Sequence, residues 1–401
     1  MGGRAPTDKD NEPVRVLITG GAGFIGSYSA RALLEAGHAV TVLDDFSPQV
    51  HTQDRERSYT WATIRGRVDL VEGDIRDGGL LAGLVPTFDA ILHLAAETGT
   101  GQSMYDVDRY CEVNVGGTAR LLEALVRNRG NVRRLVVASS RAIYGEGAYR
   151  CQTHGLVYPS ARRAVDLQRG QFEPTCPVCG EVAALAPTPE DAILRPASVY
   201  AVTKLSQEQL TLAIGNSLGI AATALRYQNV FGPGQSLHNP YTGILSIFSR
   251  EMLAGRDIEI FEDGAESRDF VHVEDVARAN VTLIEGDCAA GLALNVGVGR
   301  ATTVSQVADA LAAAYGSRSQ IRVSGRFRAG DIRHNVADLA RLRRETGFVP
   351  RIDFMQGIGD FAAWAKGQLS STDAGASDGY AKALGELESR GLMGGPLGRH
   401  Q

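Results

Sequence analysis

A glycine-rich turn near the start of the chain, TGGAGFIG at residues 19–26, constrains the fold more than any other feature. The continuous apolar run VRVLITG (14–20) leads into it and is typical of a strand buried on both faces. The pattern FIGSYSARALLEAG follows and predicts a helix that stops at Gly37. A buried strand joined by a tight turn to a helix is the repeating unit of a parallel sheet covered by helices.

The first half of the chain repeats this alternation of strand and helix. AVTVLDD, AILHLAA and RLVVASS read as further strands, with helical stretches between them. The sequence therefore predicts an α/β fold with a Rossmann-type doubly wound parallel sheet. After about Phe231 the pattern loosens into short strands, such as IEIFEDG and LALNVG, mixed with helices. We expect a disordered lead (1–13), a Rossmann domain (14–230) with an insert (146–190), a smaller mixed α/β domain (231–368), and a flexible tail with one weak helix at most (369–401).

The glycines of the turn have separate physical roles. They let the backbone turn tightly, approach a ligand closely, and pack the helix against the sheet. The positive end of the helix then faces the turn, which suits a pyrophosphate. Asp44 ends the second strand, 18 residues after Gly26, where a carboxylate accepts hydrogen bonds from ribose hydroxyls and repels a 2′-phosphate. This favours NAD over NADP, although such glycines also form plain turns. The candidate cofactor residues are Gly20, Gly23, Phe24, Ile25, Gly26 and Asp44.

Tyr200 and Lys204 lie four residues apart in ASVYAVTKLSQEQL, which places both side chains on one face of a helix. A phenol with an ordinary pKa of about 10 is a poor base at neutral pH. A nearby ammonium group and a positively charged nicotinamide ring both stabilise the phenolate and lower its pKa. Ser140, at the end of a buried strand, can hydrogen-bond the same substrate hydroxyl. These three residues are the candidate catalytic set, although the Tyr and Lys spacing alone also fits a surface helix.

Composition narrows the partners and the compartment. The net charge of −5 argues against nucleic acid or an anionic membrane as the partner. No apolar run approaches the ~20 residues that a membrane-spanning helix needs, and the polar start lacks the apolar core of a signal peptide. We therefore expect a cytoplasmic protein, whose cysteines are reduced thiols or metal ligands rather than disulfides.

Over residues 14–365 the sequence resembles the extended short-chain dehydrogenases/reductases that act on nucleotide sugars. The shared motifs are TGGAGFIG, GDIRD, HLAA, VNVGGT, the Ser, Tyr and Lys set, LRYQNVFGPGQ and SRDFVHVEDVA. The resemblance implies further cofactor contacts from Asp74, Ile75, Ala95, Ala96, Asn114, Tyr200 and Lys204. It implies substrate contacts from Arg141, Asn229, Arg268 and Arg333, the last three with the diphosphate. Arg268 could instead form a surface ion pair with Glu266 or Asp269. Family members pair through helices like those of Asn114 and Tyr200, so the resemblance also implies a homodimer.

The residues after Ser140 limit the reaction. Family members that eliminate water across C5 and C6 of the sugar carry Asp-Glu there, and the related decarboxylases usually keep the Glu. This chain has Arg141-Ala142 instead. With no second acid–base pair, the simple outcome is epimerisation. Tyr200 takes the proton of the 4-hydroxyl, hydride moves from C4 to NAD, and the 4-keto sugar turns over before the hydride returns.

A closer resemblance is to the dTDP-L-rhamnose 4-epimerase group, which makes dTDP-6-deoxy-L-talose, through VVASSRAIYGEGAY, GQSMY and GQSLHNPYTGILSIFSREM. It implies a dTDP-hexose as substrate, although pocket side chains alone choose the sugar. Two other functions stay open. One is an NAD(P)-dependent ketoreductase or dehydrogenase of a nucleotide sugar, which would exchange its cofactor with solvent. The other is a non-catalytic dinucleotide-binding sensor, against which the intact catalytic set argues.

The insert between Ser140 and Tyr200 contains three of the five cysteines of the chain. Two residues separate the members of each of two pairs, and the candidate metal ligands are Cys151, His154, Cys176 and Cys179. Three thiolates and an imidazole form a closed tetrahedral set for structural zinc. A metal could stabilise an insert with too little apolar content to fold by burial alone. Unligated thiols, or a disulfide within the second pair, are the alternatives. We expect the insert to cover the sugar pocket.

Overall fold

The structure is a computed structural model that describes residues 13–51, 55–237, 243–286, 288–369 and 378–396. The expected disordered lead, apart from its last residue, lies outside the described residues. Within these ranges, none of the helices combines the length and the apolar character that crossing a bilayer requires.

Short strands alternate with helices along the described chain. The strands are β1 Arg15–Thr19, β2 Ala39–Asp44, β3 Asp69–Glu72, β4 Ala90–His93, β5 Arg134–Ser140, β6 Tyr149–Cys151, β7 Gly155–Val157, β8 Ala184–Leu185, β9 Ala221–Tyr227, β10 Asn229–Phe231, β11 Ile258–Ile260, β12 Ser267–Arg268, β13 Phe270–His272, β14 Ala293–Val296, β15 Thr302–Thr303, β16 Ile321–Val323, β17 Phe327–Arg328, β18 His334–Asn335 and β19 Met393–Gly394. The α-helices are α1 Phe24–Glu35, α2 Pro48–His51, α3 Tyr59–Ala62, α4 Gly78–Leu84, α5 Thr100–Ser103, α6 Val107–Tyr110, α7 Thr118–Arg127, α8 Ala164–Gln168, α9 Val199–Leu218, α10 Ile244–Leu253, α11 Val273–Glu285, α12 Val304–Tyr315, α13 Ala340–Thr346, α14 Phe354–Gln368 and α15 Asp378–Ser389. Short 3₁₀ turns cover Arg55–Arg57, Val85–Thr87 and Arg141–Tyr144, and the π-helical segment Cys111–Gly117 joins α6 to α7.

Seven strands form one parallel sheet in the order β14-β9-β5-β4-β1-β2-β3. Side chains of a strand alternate between the two faces of its sheet. Val16 and Ile18 of β1 accordingly pack into the apolar cluster that includes α1 and α11, whereas Leu17 packs into the cluster that includes α4 and α7. Both faces of the sheet are therefore buried, and the predicted doubly wound Rossmann-type fold is confirmed.

The boundary that we placed at residue 231 does not match the sheet. β14 lies beyond it in sequence, yet it pairs with β9 and forms one edge of the seven-stranded sheet. α11 also returns to this half, where Val276 joins the same apolar cluster as Leu33 of α1. The strand Ala293–Val296 is short, but all four of its residues are buried, as expected of a strand in the main sheet.

The second domain is built around α10, α12 and α14. Phe248, Leu311 and Phe361, one from each helix, pack with Ile258 of β11 into a separate apolar cluster. The expected flexible tail contains α15 and β19, and β19 pairs antiparallel with β17. This part of the tail is therefore attached to the second domain.

The insert forms a small antiparallel sheet with β6 between β7 and β8. Its apolar cluster contains five buried residues, namely Tyr149, Cys151, Val157, Cys176 and Ala183. Two of the five are cysteines, so little purely apolar surface holds this segment together.

Candidate functional site

The glycine turn connects β1 to α1 at the carboxyl end of the sheet. Gly20 has a φ of +69°, which favours glycine, and a Cβ on it would meet the backbone nitrogen of Ala95 at 2.8 Å. A Cβ on Gly26 would lie 2.4 Å from the carbonyl oxygen of Gly20. The turn thus forms a bare backbone cradle that side chains would fill. Gly20, Gly23, Phe24, Ile25 and Gly26 all line one pocket.

Asp44, at the end of β2, also lines this pocket. Its carboxylate is 7% exposed and accepts hydrogen bonds from the backbone N–H groups of Ala22 and Phe46, both at 2.9 Å. Asp74 and Ile75 line the pocket beside it. The cradle for phosphates and the carboxylate for a ribose are therefore in one cavity, and the residues fit NAD.

Ala95 and Ala96 also line the pocket, whereas Asn114 lies behind its wall. The Asn114 amide is fully buried and donates to the Glu97 carbonyl at 3.1 Å and to Thr203 Oγ1 at 3.0 Å. Its Oδ1 accepts from the Glu97 N–H at 2.7 Å. Asn114 therefore braces the pocket loop against α9, and its contact with the cofactor stays a prediction.

Ser140, Tyr200 and Lys204 line the same pocket as the glycine turn. Ser140 is the last residue of β5, and its hydroxyl hydrogen-bonds the Tyr200 phenol. Ser103 Oγ accepts a hydrogen bond from the backbone N–H of Tyr200 at 3.0 Å, which fixes the start of α9. Burial raises the pKa of Tyr200, while the Ser140 hydrogen bond and the positive charge of Arg141 oppose that rise. The predicted catalytic set is thus assembled beside the predicted cofactor cradle.

Lys204 is held by a residue that the sequence analysis missed. Its ammonium is 4% exposed and donates to Gln207 Oε1 at 2.8 Å, and burial lowers its pKa to about 7. The Gln207 amide in turn donates to Thr118 Oγ1 at 2.8 Å, which lies 2.9 Å from the ring of His93. The spacing of three residues on α9 is the signal that could have identified Gln207.

The four predicted substrate residues are not among the described residues that line the pocket with the catalytic set. Arg141 begins the 3₁₀ turn directly after Ser140 and is partly buried, and burial together with the positive charge of Arg268 lowers its pKa to about 10. Asn229 begins β10, and its Oδ1 is buried without a hydrogen-bond partner among the described residues. Arg141 and Arg268 thus lie close enough for their charges to interact, an arrangement that suits an anionic polar ligand.

Arg268 and Arg333 are both buried, but their partners differ from those we expected. Arg268 donates to Asp331 Oδ1 at 3.0 Å, rather than to the neighbouring acidic residues considered from the sequence. Arg333 is 1% exposed and donates to the carboxylates of Glu173, Glu262 and Asp263 at 2.6–3.0 Å. Its guanidinium is engaged in this network, and its contact with a diphosphate stays a prediction.

Arg328 is a further candidate that the sequence analysis passed over. Its Nε is buried without a hydrogen-bond partner among the described residues, and its guanidinium lies 5.1 Å from the centre of the Phe261 ring. The rest of its guanidinium is engaged, because it hydrogen-bonds the Tyr380 phenol and interacts with the Asp331 carboxylate. The sequence RAGD carried no signal that we recognised.

The insert brings its four predicted ligands together. The ligand atoms of Cys151, His154, Cys176 and Cys179 all lie within 4.8 Å of one another. Cys151 and Cys176 are buried, and the other two are exposed. The cluster is separate from the pocket that the catalytic set lines.

Comparison with known proteins decides the family. Residues 16–163 and 160–297 match the NAD-dependent epimerase/dehydratase family. The chain belongs to this family. As a member of the NAD-dependent epimerase/dehydratase family, it is an enzyme that uses NAD and acts on nucleotide sugars.

Relatives of known activity cover most of the chain. The dTDP-L-rhamnose 4-epimerase of Burkholderia thailandensis is 37% identical over 357 residues, which is 88% of this chain and 96% of that protein. The UDP-glucose 4-epimerase of Mycolicibacterium smegmatis is 32% identical over 86% of this chain and 96% of its own length.

Solved structures of family members match the whole architecture. A Thermotoga maritima UDP-glucose 4-epimerase with UDP-glucose has a TM-score of 0.71 at 28% identity, covering 89% of this chain and 100% of its own. MoeE5 in complex with UDP-glucuronic acid and NAD has a TM-score of 0.69 at 30% identity, covering 88% and 100%. The predictions of the family and of NAD are confirmed, whereas the sugar is not decided by these matches.

Proposed function

We propose that this enzyme epimerises a nucleotide-linked hexose at C4, and that it interconverts dTDP-L-rhamnose and dTDP-6-deoxy-L-talose. The observation that carries the proposal is the catalytic set itself, which faces the cofactor cradle with Arg141 and Ala142 directly after Ser140. Among the described residues that line the pocket, the carboxylates are Asp44, Asp45, Asp74 and Glu97. The first three lie on the cofactor side, and Glu97 is bonded to Arg109 at 2.6 Å. The pocket therefore offers no obvious second acid–base pair for elimination.

The chain contributes proton transfer and positioning. Ser140 and Tyr200 would share a hydrogen bond with the 4-hydroxyl of the sugar, and Tyr200 Oη would accept its proton as the C4–H bond breaks. NAD, when bound, would take up the hydride from C4 and return it. Tyr200 would then give the proton back to the oxygen once the sugar presents its other face. Lys204, held by Gln207, contributes positive charge that stabilises the phenolate.

The choice of sugar nucleotide rests on similarity. The Burkholderia thailandensis relative acts on dTDP-L-rhamnose by its name, and its similarity extends over 96% of its length. Other relatives act on UDP sugars by theirs, so the base and the hexose are the part of the proposal most in need of a direct test.

The test is incubation of the purified enzyme with dTDP-L-rhamnose, without added cofactor, followed by proton NMR of the sugar. We expect slow approach to a mixture with an isomer of unchanged mass. No change with NAD still bound would remove the rhamnose assignment, and a panel of UDP hexoses would follow. Turnover that stops without added NAD(P)H would instead support a ketoreductase.

We also propose that the insert holds a structural zinc ion. With Zn–S of about 2.3 Å and Zn–N of about 2.0–2.1 Å, a tetrahedral site separates two sulfurs by about 3.8 Å and a sulfur from a nitrogen by about 3.6 Å. The Sγ atoms of Cys151 and Cys179 lie 3.7 Å apart, and His154 Nδ1 lies 3.5 Å from Cys151 Sγ and 3.6 Å from Cys176 Sγ. A disulfide would bring its sulfurs to about 2.0 Å. The spacing supports zinc, and reduced thiolate ligands fit a cytoplasmic location.

Elemental analysis of the purified protein tests this proposal. We expect one zinc per chain. We also expect the Cys176→Ser variant to lose the metal and to have a lower melting temperature than the wild type. Cys288→Ser, which changes a cysteine outside the cluster, is the matched control and should keep the metal. Absence of metal from protein prepared without chelators would contradict the proposal.

We further propose a homodimer that pairs through α7 and α9. These helices carry exposed apolar side chains, among them Val126, Val202 and Leu210, which are 54%, 48% and 36% exposed. Burying such side chains against a second copy is favourable. Light scattering should give twice the mass of the chain, and Val202→Glu with Leu210→Glu should give the mass of one chain.

A further inference from the structure

Arg162, in the insert, donates five side-chain hydrogen bonds. Its side chain is 5% exposed. It donates to both oxygens of Glu262 at 2.8 Å and to Glu146 Oε1 at 3.1 Å. It also donates to the backbone carbonyls of Phe172 at 3.2 Å and Asp331 at 2.9 Å. These contacts tie the insert to two separate segments of the second domain.

A second arginine interlocks with this contact from the other side. Arg333, from the second domain, shares Glu262 with Arg162 at 3.0 Å and forms a two-point contact with Asp263. It also donates to Glu173 of the insert at 2.6 and 2.9 Å. Each side of the junction therefore contributes one arginine that hydrogen-bonds a carboxylate of the other side. Bidentate arginine–carboxylate contacts fix orientation as well as distance.

The segment 331–333 connects this junction to Arg268. Arg162 holds the Asp331 carbonyl, while the Asp331 carboxylate accepts from Arg268 at 3.0 Å. Arg268 also donates to the carbonyls of Ile332 at 2.8 Å and Arg333 at 3.0 Å. The guanidinium of Arg268 is thus hydrogen-bonded to a three-residue segment that Arg162 holds through the Asp331 carbonyl.

We propose that Arg162 is a positioning residue for nucleotide-sugar binding, acting through Asp331 on Arg268. The inference rests on the proposed function, in which Arg268 contacts the diphosphate. The insert is then a structural support for the substrate half of the site, and Arg162 sets the affinity for a nucleoside diphosphate without touching it. The junction residues are not among the described residues that line the pocket with the cofactor cradle.

The test measures dTDP binding to the NAD-containing enzyme by calorimetry. Arg162→Gln removes the charge and most of the five donors, and we expect dTDP to bind about tenfold more weakly. The NAD content should stay at the wild-type level, and turnover of bound substrate should change by no more than about threefold. Arg163→Gln is the matched control, because the side chain of Arg163 is 76% exposed and its ion pair with Asp166 is 3.8 Å long. It should bind dTDP as the wild type does.

A double-mutant cycle separates positioning from general destabilisation. In an Arg268→Gln background, Arg162→Gln should weaken dTDP binding less than twofold. A tenfold loss in both backgrounds, or unchanged binding in the single variant, would overturn the proposal. If Arg162→Gln does not fold, Arg162→Lys takes its place, since it keeps the charge but cannot make all five contacts. It should weaken dTDP binding with NAD retained, and equal loss of both ligands would overturn the inference.

Because dTDP binding needs no turnover, failure of the epimerase assignment and failure of this inference give different results. If the enzyme binds dTDP but leaves dTDP-L-rhamnose unchanged, the proposed substrate is refuted. The double-mutant cycle of Arg162 and Arg268 can still be measured in that case.

Discussion

Tyr200 and Lys204 line one pocket, and burial acts on them in opposite directions. It raises the pKa of the Tyr200 phenol and lowers that of the Lys204 ammonium to about 7. In both cases burial disfavours the charged form. The protein alone therefore leaves Tyr200 a weak base, and the positive nicotinamide ring would supply the charge that favours the phenolate. This couples the activation of the base to the presence of the cofactor.

Removing the Tyr200 hydroxyl tests its role. Tyr200→Phe should lower the epimerisation rate by about 10²–10⁴-fold, which is the usual contribution of a general acid–base group. NAD content should be retained, because the glycine cradle and Asp44 are unchanged. Tyr158→Phe, a partly buried tyrosine that does not line the pocket, should leave the NMR-measured rate unaltered. A Tyr200→Phe enzyme with near wild-type activity would refute the assignment.

Glu266 gives a prediction about pH and stability. It is 8% exposed, and burial with the nearby charge of Glu262 raises its pKa to about 7 from an ordinary 4.5. The folded state then binds more protons than the unfolded state between these values, so stability from this group is full below about 4.5 and falls as pH rises through 7. Glu266→Gln removes the group that ionises.

The free energy of unfolding of the Glu266→Gln protein should match that of the wild type near pH 4.5. At pH 8 it should be higher than the wild-type value by up to about 3 kcal/mol. Urea denaturation at both pH values measures the difference. Glu259→Gln, at a side chain 39% exposed, should show little change between the two. If the difference in free energy of unfolding between Glu266→Gln and the wild type does not grow with pH, the raised pKa of Glu266 is contradicted.

At the scale of elements, the turn between β1 and α1 depends on glycine for space. A Cβ at Gly26 would lie 2.4 Å from the Gly20 carbonyl and 2.6 Å from Gly21 Cα, and both are backbone atoms that cannot turn aside. Gly26→Ala must therefore move α1 away from the turn. We expect at least about tenfold weaker NAD retention, measured by absorbance of the released cofactor.

A helical glycine with open space provides the control for this prediction. Gly359 lies inside α14, and a Cβ there would meet nothing within 4 Å. Gly359→Ala should retain NAD. Its free energy of unfolding should rise by up to about 1 kcal/mol, because alanine has a higher helix propensity than glycine. Equal NAD retention in both variants would show that the turn tolerates a side chain.

The sequence predicted these local units better than the long-range ones. β1, the turn and α1 are contiguous, so periodicity and glycine spacing identify them together. α11 and β14 were assigned to the wrong half, because their partners, α1 and β9, are far away in sequence. The clustering of Cys151, His154, Cys176 and Cys179 was expected from their spacing in two short pairs, and their ligand atoms do lie within 4.8 Å of one another. The ionic junction of Arg162 and Arg333 could not be predicted, because it pairs residues roughly a hundred or more positions apart.

At the scale of the molecule, two of the contacts that join the Rossmann half to the substrate half come from segments far apart in sequence. One is the ionic junction of the insert. The other is the tail, which the sequence did not reveal because its contacts lie far back in the chain. Tyr105 donates to Glu386 at 3.2 Å, and the guanidinium of Arg390 lies 4.5 Å from the centre of the Tyr105 ring. On the other side, Arg328 pairs with Met393 where β17 meets β19.

Ending the chain at Leu369 should remove the contacts of the tail with Tyr105 while leaving Ser140, Tyr200 and Lys204 unchanged. Tyr105 lies two residues after Ser103, whose hydroxyl holds the backbone N–H of Tyr200, so the tail braces a loop that supports the catalytic helix. The substrate would have to order the two halves itself, which lowers its apparent affinity. We expect KM to rise severalfold, kcat to change less, and the melting temperature to fall by a few degrees. Tyr105→Phe, which removes a single tail hydrogen bond from the full chain, should show a smaller effect in the same direction. Unchanged KM and melting temperature in the shortened chain would mean that the tail does not help to hold the two halves together.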